Sequence, residues 1–269
     1  MSRNATKDLT TGSPMKLILG FGIPLLFGML FQQFYNMMDT IIVGKFLGVS
    51  ALASVGATGS INFMIIGFCM GVCNGFAIPV AQRFGAKDEH GMRKFVANSV
   101  WLSIIFAVVM AVLVCVFCRQ ILELMNTPED IIDGSYSYIF VIFLGIPATY
   151  MYNLLSGIMR SLGDSKTPLY LLIFSSILNI ILDLLSIIVL KMGVAGAAWA
   201  TVIAQAVSGF CCLGVIWKKF PILHVQREEW QPDKLCILNL CNMGIPMGLQ
   251  YSITAIGSVI IQAAVNSLG

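Results

Sequence analysis

Residues 17–44 read LILGFGIPLLFGMLFQQFYNMMDTIIVG, an uncharged run interrupted by one carboxylate, Asp39. An α-helix rises about 1.5 Å per residue and a bilayer's hydrocarbon core is roughly 30 Å thick, so about 20 apolar residues cross it. The run is long enough to cross with tilt. The whole chain agrees: 58% of residues are hydrophobic and 11% charged, with a mean hydropathy of +0.87, values that exclude a water-soluble globule. Six further runs, near 51–82, 95–118, 135–158, 169–190, 194–216 and 236–262, bring the spans to seven. The fold class is therefore all-α, a polytopic membrane helical bundle. Its partner is the lipid bilayer. The leading MSRNATKDLTTGSP is a short polar tail, and the first apolar run is too long for the core of a cleavable signal.

The basic residues orient the bundle. With the N-terminus cytoplasmic, the inner segments hold Arg3, Lys7, Lys16, Arg83, Lys87, Arg93, Lys94, Arg160, Lys166, Lys218, Lys219, Arg227 and Lys234, and the outer ones only Lys45, Arg119 and Lys191. All 16 are accounted for, 13 against 3. This is the positive-inside pattern of a multi-pass protein of the cell membrane, and the net charge of +3 is the same loop bias, not a nucleic-acid footprint. His90 and His224 fall in cytoplasmic loops and read as solvated. The eight cysteines lie in spans or at their ends, where Cys behaves as a small hydrophobe. Cys115 and Cys118 form a lone C-x-x-C with no second pair at a zinc spacing, so no structural metal is expected.

Of the 13 acids, 11 fall in tails, loops or span ends. The remaining two are Asp39 and Asp183. A charged side chain near the bilayer centre costs about 2.5–3.5 kcal/mol by insertion scales, so both invite a functional reading. Spans one and five run in the same direction, and the two acids sit ~9 and ~12 Å below the outer ends marked by Lys45 and Lys191. Asn179 shares the face of Asp183 one turn away, and Tyr35 and Gln32 share the face of Asp39. If the two helices are neighbours, two carboxylates, an amide and a phenol meet. Desolvated, paired carboxylates bind and release protons, and the same oxygen set suits sodium. The plainer reading, a protonated Asp bonding a neighbouring helix to hold the bundle together, stays open for each.

Pro24, Pro147 and Pro246 fall inside spans one, four and seven, where each removes a backbone hydrogen bond and favours a kink. The glycines of GFCMGVCNGF (67–76) and GVAGAAWA (193–200) read as close helix packing. A repeat begins as well: FGIPLLFGMLFQQ (21–33) and MGIPMGLQYS (243–252) share Gly-Ile-Pro at an offset of 222, and Leu47-Gly48 matches Leu268-Gly269 at 221. Six spans precede the second copy, so it enters the membrane in the same orientation, as parallel repeats of secondary transporters do. Span seven has Ile260 or Ile261 where span one has Asp39.

Five pieces in order resemble the multidrug and toxic compound extrusion (MATE) transporters: the Pro24 helix with Asp39 and Val43-Gly44, AQRFGA (81–86), RSLGDSKTP (160–168), the N-x-x-x-D of Asn179 and Asp183, and GVAGAAWAT (193–201). The resemblance runs through the whole chain and implies half of a twelve-helix, two-lobed fold that exports organic, often cationic, compounds in exchange for protons or sodium, with no cofactor. It implies a cytoplasmic tail at 1–14, a six-helix N-lobe at 15–217, an inter-lobe linker at 218–235 and the first helix of an incomplete second lobe at 236–269. It further implies a cation site of Asp39, Asn179, Asp183 and Thr201, a nearby polar lining of Gln32, Tyr35, Tyr138 and Asn153, and a hinge at Pro24. The missing lobe would belong to the same chain or another.

Three other readings compete. A lipid or polysaccharide flippase of the related superfamily calls for a basic residue in the cavity, and no Lys or Arg falls mid-span. A fragment without transport is a second. An intramembrane aspartyl protease could use two aspartates, but its Gly-x-Gly-Asp context is absent around NMMDT and NIILDLL.

Overall fold

The computed structural model describes residues 12–266, and among these there is no strand. Arg3, Lys7 and Asp8 of the tail and the Leu268-Gly269 part of the repeat lie outside the described residues. The chain forms α1 (Pro14–Leu47), α2 (Val49–Gly85), α3 (Glu89–Val116), α4 (Cys118–Leu124), α5 (Glu129–Leu144), α6 (Ile146–Ser161), α7 (Lys166–Leu184), α8 (Val194–Lys219) and α9 (Lys234–Asn266). Six helices are long and apolar enough to cross a membrane, and α5 with α6 supplies the seventh span when this bent pair counts as one.

That pair is where the predicted fourth span differs. The two helices meet at Gly145 with a bend of 46°, because Pro147, which has no N–H to donate, is accommodated in the first turn of α6 and not in a helix interior. At Pro24 and Pro246, by contrast, α1 and α9 continue without a break. The short helix α4 was not foreseen. Between α1 and α2 the chain turns in a single residue, Gly48, at φ +88°, a conformation that a side chain would strain.

The core gathers around α2, which packs against α1, α3, α5, α6 and α9. Cys69, Val72, Cys73 and Phe76 of α2 meet Met92, Ile139, Ile146, Tyr150 and Met159, all essentially inaccessible. Apolar side chains such as Ile104, Ile105, Val108 and Val112 of α3 are exposed, the surface that lipid would cover. In α1 Asp39, Ile42 and Val43 are buried, and the rest of the helix carries a half-buried stripe that includes Phe21, Pro24, Leu25, Gly28, Gln32 and Tyr35 beside an exposed apolar face.

Helix α9 lies antiparallel along α2 over a line of glycines. A methyl group added at Gly71 would fall 2.6 Å from the Met247 carbonyl oxygen, and one at Gly75 would fall 2.5 Å from Gly244 Cα. Backbone meets backbone, as small residues spaced by four allow. Ser252 Oγ donates to the Met64 carbonyl at 3.3 Å and Ser60 Oγ to the Ser258 carbonyl at 3.2 Å, extending the seam toward the far end.

The segment joining α8 to α9 is folded and not a free linker. Glu229, one of the 11 acids that the sequence places in tails, loops or span ends, is 1% exposed. Arg93 Nε of α3 donates to both of its oxygens at 2.9 Å, His90 Nδ1 lies 2.9 Å away and the Gln226 N–H donates at 2.8 Å. Burial pushes this carboxyl up, but these partners outweigh it and hold it below the usual range. Trp101 Nε1 donates to the Trp230 carbonyl at 3.1 Å, and Asp233 caps α9 through the N–H groups of Leu235 and Cys236 while its own N–H reaches Asn98. His90, expected in a loop, lies in the first turn of α3, and its side chain and that of His224 are exposed.

Candidate functional site

Helices α1 and α7 are neighbours, and their contact brings the two intramembrane acids together. Asp39 is 8% exposed and Asp183 fully buried. Their carboxyl groups are close enough to act on one another electrostatically, and each keeps one buried oxygen, Oδ1, without a protein partner among the described residues. One residue beyond Asp183 the α-helix gives way to a π-helical turn, Leu185–Val189, a distortion that recurs at functional sites.

Asn179, fully buried one turn before Asp183, connects the pair to α8. With its N–H donating to Asp183 Oδ2 at 2.9 Å, its carbonyl accepts from Thr201 Oγ1 at 3.3 Å. Thr201 Oγ1 in turn accepts from the Tyr35 hydroxyl of α1 at 3.2 Å. Three helices are thereby joined in one directed chain, Tyr35 to Thr201 to Asn179 to Asp183, and Tyr138 of α5 is buried within electrostatic range of Tyr35 and both acids. Unpartnered carboxylate oxygens in a dry setting are where a proton or a small hard cation gains most.

The predicted lining divides. Tyr35 and Tyr138 belong to the acid cluster, whereas Gln32 and Asn153 line a separate cavity of about 500 Å³ toward the end rich in basic residues. Gln32 lies two helical turns from Asp39, about 10 Å along the axis. Asn153 Nδ2 is engaged by the Thr149 carbonyl at 2.8 Å. Pro24, Gly28, Met70, Asn74, Leu169 and Leu172 form much of the cavity wall, and Tyr251 of α9 closes one side.

Arg160 also lines this cavity, which corrects the sequence argument that no cation does. Hydropathy put it in a loop, but α6 continues to Ser161, so Arg160 sits on its last turn with Nη2 donating to Asn74 Oδ1 at 3.2 Å.

Comparison with known proteins places this geometry. The MatE family model matches residues 24–185. The probable multidrug resistance proteins YpnP and YoeA of Bacillus subtilis are 30% and 31% identical, over 97% and 93% of this chain and 58% and 55% of theirs. The chain thus spans about half the length of the curated relatives it matches. Among solved structures, the outward-facing conformation of a multidrug resistance MATE family transporter of the MOP superfamily superposes with a TM-score of 0.83 at 27% identity, over 91% of this chain and 55% of the other. A MOP superfamily transporter from Pyrococcus furiosus, described as having a binding pocket of reverse polarity that suggests a different function, gives 0.84 at 27% identity, over 93% and 55%. The named relatives are transporters, not enzymes.

Proposed function

The chain belongs to the MATE family, and from that premise we propose that it forms the first half of a secondary exporter in the cell membrane, N-terminus inside, moving small organic compounds outward against inflow of protons or sodium. The observation that carries the reading is the directed chain from Tyr35 through Thr201 and Asn179 to the facing carboxyls of Asp183 and Asp39. Such a chain is an expensive thing to keep buried without a ligand, since each unpaired polar atom costs about 1–3 kcal/mol.

In this reading the coupling ion is cargo. A proton joins the carboxyl pair, or sodium takes the two Oδ1 atoms with the Asn179 or Thr201 oxygen, and either removes the charge repulsion between α1 and α7. Ion binding therefore draws the outer end of α1 onto α7. Because α1 between Pro24 and Asp39 is packed along one half-buried stripe only, the movement travels along the helix, with Pro24 as its hinge, to the cavity wall that Pro24 itself supplies. A ligand shifts an equilibrium only as far as its affinities for the two states differ, so substrate and ion must favour opposite states. Residues 15–217 serve as one lobe, the segment 218–235 as the joint and α9 as the opening of the second lobe, completed in the same or another chain.

Arg160 keeps one second reading open, transport of a lipid or polysaccharide with an anionic head, and the solved relative of reverse pocket polarity gives it support. The multidrug descriptions of the more numerous relatives favour drug export. The test is Asp39→Asn, measured as ion-driven uptake of a fluorescent cation into everted vesicles. The expected result is loss of coupled transport with membrane insertion unchanged, and transport at the unsubstituted rate sinks the proposal.

A further inference from the structure

The cavity toward the basic end contains a cation for which the coupling site has no use. Arg93, the other half-buried arginine of that end, is matched by Glu229 at 2.9 Å. Arg160 is half-buried too, yet among the described residues no carboxylate lies within ion-pair distance of it. Its neutral partner Asn74 accepts one of the five N–H donors that a guanidinium carries. Gly157 lies beside Nη2, where a methyl group added to it would be in ordinary contact at 3.9 Å. Tyr152 and Tyr251 line the same cavity, and its wall also includes the apolar Met70, Leu169 and Leu172. A volume of about 500 Å³ is that of a small-molecule site, and a planar fork of donors at one end of an apolar chamber fits a body with one anionic group.

We propose that Arg160, oriented by Asn74 and flanked by Tyr152 and Tyr251, is an anion-recognising subsite that takes the carboxylate or phosphate group of an amphiphile whose apolar part lies against Met70, Leu169 and Leu172. It rests on the cavity being part of the substrate path. The subsite adds a demand that the acid cluster does not make: zwitterionic and anionic amphiphiles are bound in preference to otherwise identical neutral ones.

The experiment uses a matched pair of fluorescent probes, dansylglycine and its uncharged amide, with the protein in phosphatidylcholine nanodiscs and binding followed by anisotropy. Dansylglycine is expected to bind about tenfold more tightly than the amide, a difference typical of one charge-assisted hydrogen-bond pair. Arg160→Gln abolishes the preference and leaves amide binding in place. Asn74→Asp, which supplies an internal carboxylate and keeps the guanidinium paired, abolishes it as well without removing the cation from the fold. Equal affinity for the two probes in the unsubstituted protein, or a preference surviving both substitutions, overturns the subsite alone. Failure of both probes to bind overturns the substrate-path reading along with it. Nanodiscs that also contain phosphatidylglycerol separate the sources: Arg160-dependent displacement of dansylglycine assigns the subsite to a lipid headgroup, and undiminished binding assigns it to a free organic anion.

Discussion

Replacing Glu229 by Gln keeps the shape of the side chain and removes the charge on which the joint between α8 and α9 closes. The carboxylate receives Arg93 Nε on both oxygens at 2.9 Å, His90 at 2.9 Å and the Gln226 N–H at 2.8 Å, at 1% exposure. Removing one partner of a buried ion pair costs about 3–5 kcal/mol. Arg93 keeps Glu89 at 3.5 Å and remains 16% exposed, so the lower figure, about 3 kcal/mol, applies. At about 1.4 kcal/mol per decade, opening of the joint becomes roughly 10²-fold more frequent. Amide hydrogen exchange over residues 221–233 reads this directly, because local opening sets its rate. Exchange there is expected to accelerate by that factor while the core of α2 and α6 keeps its protection. The acid dependence has a definite sign: a carboxyl held below its ordinary value of 4.5 contributes fully above that value and loses its contribution as pH falls through the lower folded one. The unsubstituted joint should therefore loosen only in that acid window, and Glu229→Gln should be loose on both sides of it. Neutral-pH exchange unchanged to within about threefold would refute the latch.

Two further outcomes follow from contacts in the membrane. Gly75→Leu forces side-chain atoms into the Gly244 backbone; overpacking costs about 1–3 kcal/mol, so Tm in detergent should fall by about 2–12 °C, whereas Gly56→Leu, with nothing within 4 Å, should not lower it. Thr201→Val removes the oxygen shared by Tyr35 and Asn179; at about 1 kcal/mol for each of the two lost bonds, the ion concentration for half-maximal exchange should rise about thirtyfold, and Thr201→Ser should restore it.

Much of this was legible residue by residue. That Asp39 and Asp183 stand inside apolar helices follows from hydropathy, and the pairing of Asn179 with Asp183 follows from helical period, because both are local quantities. That α1 and α7 touch is a long-range fact, and no periodicity contains it. Gln32 was drawn into the acid cluster because it shares the Asp39 face, but a face extends the whole length of a helix and two turns separate them. Arg160 and Glu229 escaped for one reason. A hydropathy boundary marks where the apolar residues stop, which is neither where the helix ends nor where burial ends. Arg160 rides a helix past that boundary, and Glu229 is covered by Arg93 and His90 from more than 130 positions away.

The Asn179 carboxamide, at the centre of the buried chain, has two faces of opposite sense. With its N–H toward Asp183, every hydrogen from Tyr35 onward points to the acids. Turned over, it donates to Thr201 Oγ1 at 3.3 Å, offers its carbonyl to a protonated Asp183, and leaves the Thr201 hydrogen free to turn back toward Tyr35. The residues behave like a row of compass needles. On the proposed function, one proton arriving at the acids would swing the whole row, and the Tyr35 hydroxyl, on another helix, would point differently when the pair is loaded.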